Sequence, residues 1–83
     1  MKEEQPNIYA YASNLAGVAA YALDSWRFWR NMSAGDYYEK VRAGRMYAYS
    51  EILRLITGRN VGVEESIVEQ IVNVLTLDNH KVS

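Results

Sequence analysis

A chain of 83 residues with a formal net charge of −1, no cysteine and one histidine fits a single small domain with a limited core. The missing cysteine excludes disulfides and thiolate metal sites, and the near-neutral charge removes any global pull toward nucleic acid or anionic lipid. Small domains need a supplement to their own core, and with these routes closed the expected one is another copy of the chain.

The opening Lys2-Glu3-Glu4 has no apolar run of leader type after it. The uncharged stretch from Gln5 to Leu23 is interrupted by Asn7, Ser13 and Asn14, which leaves it short of the roughly 20 apolar residues that span a bilayer. A soluble, cytoplasmic protein without a membrane partner is expected.

The first predicted helix covers about Asn7 to Asn31, with Pro6 suited to its first turn and Glu3 and Glu4 to the positive end of its dipole. Ile8, Ala12, Leu15, Ala19, Ala22, Trp26 and Trp29 recur at spacings of 4, 3, 4, 3, 4 and 3, a heptad seam. Its small early members, Ile8, Ala12, Leu15, Ala19 and Ala22, predict close helix approach and an oligomer interface. Tyr9, Tyr11, Val18, Tyr21 and Phe28 lie off the seam, so this helix is apolar nearly all round and contacts neighbours on more than one side.

A break follows at Asn31–Gly35, where Ser33 and Asp36 have capping-box spacing. The second predicted helix covers about Ala34 to Thr57. Its main stripe is Tyr38, Val41, Arg45, Ala48, Ile52 and Leu55, with a second line at Met46, Tyr49, Leu53 and Ile56. Gly58 is placed as its stop. Asn60-Val61-Gly62 reads as a turn. The third helix covers about Val63 to Leu77, with Val63, Ile67, Val68, Ile71, Val74 and Leu75 as its buried set, and a frayed polar tail at 78–83.

The predicted architecture is therefore all-α: an antiparallel hairpin of two helices of roughly 36 Å each plus a shorter third helix, over residues 1–83. Two hairpins with peripheral third helices would bury the remaining apolar surface as a homo-oligomeric bundle, in the simplest case a dimer.

No catalytic group is expected. The carboxylates are scattered, no serine has a histidine near it, and His80 lies in the tail. Glu65 and Glu69, one turn apart, could share a cation, but no histidine stands at metal-bundle spacing beside them. No metal and no cofactor is expected. A helix-turn-helix reading of residues 51–77 fails on its long turn and on Glu64, Glu65 and Glu69 in the would-be reading helix. A ribbon-helix-helix reading needs a strand within Tyr37–Arg45, where alternation is weak.

The main functional candidate is aromatic and basic: Trp26, Arg27, Trp29 and Arg30 close the first helix, and Lys40, Arg42 and Arg45 lie early in the second. Trp, Tyr and Arg concentrate at protein interfaces, and the same residues can stack bases and contact phosphates. The expected function is a non-enzymatic interaction or regulatory protein that contacts a protein partner here, with a DNA- or RNA-binding regulator as the alternative. Charge is also divided along the chain. Residues 24–60 hold seven Lys/Arg against four acids, a local +3, and residues 61–83 hold four acids against Lys81, a local −3. Pairing of these halves within the oligomer is expected.

Overall fold

The computed structural model describes residues 8–32 and 35–82, with side-chain detail for 14–32, 35 and 38–77. The protein is all-α: α1 spans Ile8–Asn31, α2 Asp36–Thr57 and α3 Glu65–Val82, with no strand among the described residues. Residues 37–45 are helical, which removes the ribbon-helix-helix reading. No helix among the described residues is long and apolar enough to cross a membrane.

The helix ends follow local chemistry. Gly35, not Ser33, is the N-cap of α2; its extended backbone aims its carbonyl at the amides of Tyr38 and Glu39, each 3.0 Å away. Ser33, the expected cap, lies outside the described residues. Gly58 ends α2 as expected: with φ +75° it is left-handed, and its N–H donates to the Arg54 carbonyl at 2.8 Å. The α3 start falls two residues later than expected, because Asn60 holds the chain in a turn. Its side-chain oxygen accepts the Gly62 amide at 2.8 Å, and its carbonyl accepts those of Val63 and Glu64. At its other end α3 runs to Val82, so residues 78–82, expected to fray, are helical.

The core joins all three helices. Ala19, Ala22, Leu23 and Trp26 from α1, Leu53 from α2, Val61 from the turn, and Val68 and Val72 from α3 form one buried cluster. Alanines on the inner face of α1 let its neighbours approach closely, and Trp26 fills the wider end of the same face. This placement corrects the interface expected from the seam. Ala19 and Ala22 are 0% and 1% exposed within their own chain, which puts them out of reach of a second copy. Leu15 is 47% exposed and keeps free surface, while the side chains of Ile8 and Ala12 lie outside the described set.

The second line of α2 is the inner one. Met46, Tyr49, Leu53 and Ile56 pack on the core, and of the expected main stripe only Ile52 joins them, whereas Tyr38, Val41, Arg45, Ala48 and Leu55 are exposed, Leu55 by 81%. On α3, Val68 and Val72 are buried and Ile71 and Leu75 partly so, while Ile67 and Val74 are exposed, as is Val63 in the turn before it.

The chain is thin for its length. It exposes 6192 Å², against about 5,000 Å² for a compact monomer of this size. Its radius of gyration is 15.1 Å, where about 12 Å is usual for this many residues. The shortest principal extent is 17 Å against a longest of 47 Å.

Candidate interaction surface

Most of the basic cluster is engaged inside the chain. Arg42, on the first half of α2, reaches back to the end of α1: its Nε donates to the Trp29 carbonyl at 2.9 Å and its Nη2 to the Arg30 carbonyl at 3.0 Å. Its Nη1 donates to Glu39 at 2.9 Å. A helix end leaves its last carbonyls without intrahelical partners, and Arg42 supplies two of them with charged donors. Arg42 is thus a cap for α1.

Arg27 and Arg30 face the start of α3. Arg27 Nε donates to Glu65 at 2.5 Å and its Nη2 to Glu69 at 3.1 Å, while Arg30 Nη1 takes the other oxygen of Glu65. The cation that Glu65 and Glu69 share is therefore the guanidinium of Arg27. Arg27 first, and then Arg30, hold the Glu65 carboxyl below its ordinary range against the opposing effect of partial burial, and Glu65 raises Arg27 in return. The basic and acidic halves of the sequence thus meet within one chain, and Arg59 on Glu64 at 2.9 Å adds to the same pattern. Ion pairing between copies is not required to neutralise them.

Trp26 is 6% exposed and belongs to the core, with the Arg30 guanidinium 4.8 Å from its ring centroid. Trp29 is half-buried. Arg45 lies 5.6 Å over its ring, and Phe28 meets it edge-on at 5.5 Å. Lys40 is exposed, and neither Lys40 nor Arg45 forms an ion pair among the described residues.

One concavity, lined by Trp26 and Arg42 among others, opens beside Met46 and Asn60, and another lies between α1 and α2. Tyr21, Asp24, Ser25, Phe28, Trp29, Arg45 and Tyr49 line this second concavity, of about 580 Å³. Tyr21 packs edge-on against Tyr49 at 6.0 Å, and hydrogen bonds with Tyr49 and then Ser25 lower the Tyr21 hydroxyl from its ordinary value. Of the seven residues expected at this surface, only Trp29 and Arg45 line this second concavity. Tyr21, Phe28 and Tyr49 were not singled out from the sequence as site residues. A signal for two of them exists there, since Val18, Tyr21, Ser25 and Phe28 repeat at spacings of 3, 4 and 3 beside the opening seam.

No group of three or more metal-ligating side chains comes together among the described residues. Ser50 donates to the Tyr47 carbonyl at 2.9 Å, a local helix bond with no base beside it. No protein-family model, curated protein or solved structure matches the chain.

Proposed function

We propose that this protein acts by association rather than catalysis, as a small helical interaction protein of regulatory type that works as a homo-oligomer. In this reading α1 and α2 form an antiparallel hairpin, supported by the meeting of Tyr21 with Tyr49 and of Trp29 with Arg42 and Arg45. The outward side of that hairpin is the contact surface. One observation carries the proposal: the large hydrophobic side chains Tyr21 (64% exposed), Phe28 (58%), Val41 and Leu55 of α1 and α2 stand open on a chain whose described buried polar atoms all have partners. Apolar surface of this extent marks an interaction site.

The partner on this face is protein in character. Nucleic acid is held mainly by cations free to meet phosphates. Arg27, Arg30 and Arg42 are committed to carboxylates and carbonyls, which leaves aromatic and aliphatic groups in the majority. The test combines two titrations. The thermal midpoint should rise with protein concentration, as linkage requires of an associating chain, and labelled DNA and RNA should show no binding that weakens with added salt. A concentration-independent midpoint together with salt-sensitive nucleic-acid binding would overturn the proposal.

A further inference from the structure

The concavity between α1 and α2 is charged as well as aromatic. Its α1 wall is Tyr21, Asp24, Ser25, Phe28 and Trp29, at spacings of 3, 1, 3 and 1, which one side of a helix presents together. Arg45 and Tyr49, one turn apart on α2, form the other wall. Ring contacts tie the two walls together. Tyr21 meets Tyr49 edge-on at 6.0 Å, and the Arg45 guanidinium lies 5.6 Å over the Trp29 ring. The volume of about 580 Å³ falls within the roughly 300–1,000 Å³ of small-molecule pockets.

Its two charges are uncommitted. Asp24 and Arg45 are exposed and line the same hollow, yet neither forms an ion pair among the described residues, with each other or with a third group. Arg27, Arg30 and Arg42 are by contrast engaged with Glu65, Glu69 and Glu39.

This pattern selects among ligands. Several rings around one hollow suit an ammonium group, but Arg45 already holds the cation position over Trp29 and repels a second cation there. An anion drawn to Arg45 lies in the field of the Asp24 carboxylate. Only a group that carries both charges satisfies both residues. Its carboxylate matches the planar fork of Arg45, and its ammonium matches Asp24. The neighbouring Phe28 and Trp29 rings favour a flat apolar body on the same molecule.

We propose that this hollow binds a small aromatic zwitterion, an α-amino acid with a ring side chain. Arg45 holds its carboxylate, Asp24 its ammonium, and Phe28 and Trp29 its ring. The site lies within one chain, so it goes beyond the association argued above and does not depend on it.

The probe is L-phenylalanine, followed by the tryptophan emission of the natural chain, excited where phenylalanine does not absorb. Chain concentration is kept at the lowest that gives a signal, where association is weakest. Hydrocinnamate and phenethylamine serve as analogues, since each keeps the ring and only one of the charges. L-Phenylalanine should bind saturably with a Kd on the order of 1 mM or tighter, as its small size allows. Each analogue should bind about fivefold more weakly, the upper range for an exposed ion pair. Asp24→Asn should lower the affinity for L-phenylalanine to that of hydrocinnamate while leaving hydrocinnamate no weaker. Arg45→Gln should likewise bring it to that of phenethylamine. Both variants are checked for helicity; if Arg45→Gln unfolds, the analogue series and Asp24→Asn carry the test. An analogue as tight as L-phenylalanine, or a folded variant that leaves its affinity unchanged, would overturn the zwitterion assignment. The absence of saturable binding for all three compounds would overturn the site itself. Sedimentation reads self-association separately, so either reading can fail while the other stands.

Discussion

Arg42 is read from sequence as one more cation in a basic run, yet its guanidinium spans two backbone carbonyls at the end of α1. Nothing in the local sequence announces that role, because the carbonyls belong to residues 12 and 13 positions earlier. Only the packing of α2 on α1 brings them together. Arg42→Met should therefore destabilise the fold by about 1.5–3 kcal/mol, the range for hydrogen bonds made by charged groups, measured by urea denaturation. Arg42→Lys should recover part of the loss, because an ammonium cannot reproduce the planar fork. A stability change below about 0.5 kcal/mol, usual for an exposed surface residue, would contradict the capping role. Leu53 is the opposite case: its place on an apolar line is legible, and it is fully buried among all three helices. Leu53→Ala should cost about 2–5 kcal/mol by the same measurement.

At the scale of elements, heptad spacing located all three helices, since a 3.6-residue period leaves a regular mark. It could not say which of two apolar stripes on α2 faces inward. Both fit a helix, and the choice shows only in the packed core, where Leu53 joins Val61 of the turn and Val68 and Val72 of α3. The extent of α3 was also missed at its C-terminal end, where residues 78–82 are polar in sequence yet continue the helix. The docking of α3 carries a pH signature. Glu65 is held below its ordinary range chiefly by Arg27, so the folded chain binds that proton less readily than the unfolded chain. The resulting stabilisation is complete above about pH 4.3, the usual glutamate value, and is lost as pH falls through the lower folded value. Because these side chains are 29–36% exposed, each pair should contribute less than about 1 kcal/mol. Glu65→Gln should lower stability at neutral pH and converge with the natural chain in acid. A constant difference between the two across the acid range would contradict the ion-pair account.

For the whole molecule, length and composition predict a partner, and the single chain exposes 6192 Å². Its surface exceeds that of a compact monomer by about 1,100 Å². What the sequence placed differently was the surface itself. Ala19 and Ala22 of the small-residue seam of α1 went inward, and Tyr38, Val41 and Leu55 of α2 stayed exposed, as did Tyr21 and Phe28 of α1. Polarity alone could not sort these faces, because α1 is apolar nearly all round and only the third dimension ranks its sides. If that open face seats a second copy, a charge at its centre must disrupt the assembly while sparing the core. Tyr21→Glu should shift the chain toward monomer at micromolar concentration with its helicity retained. Loss of helicity on this substitution would instead assign Tyr21 to the fold of the single chain.

Sedimentation equilibrium of the unmodified chain tests the central claim most directly. Self-association through the outward face of α1 and α2 predicts twice the 9.5 kDa of one chain at micromolar concentration. A single species of 9.5 kDa up to the highest soluble concentration would contradict it.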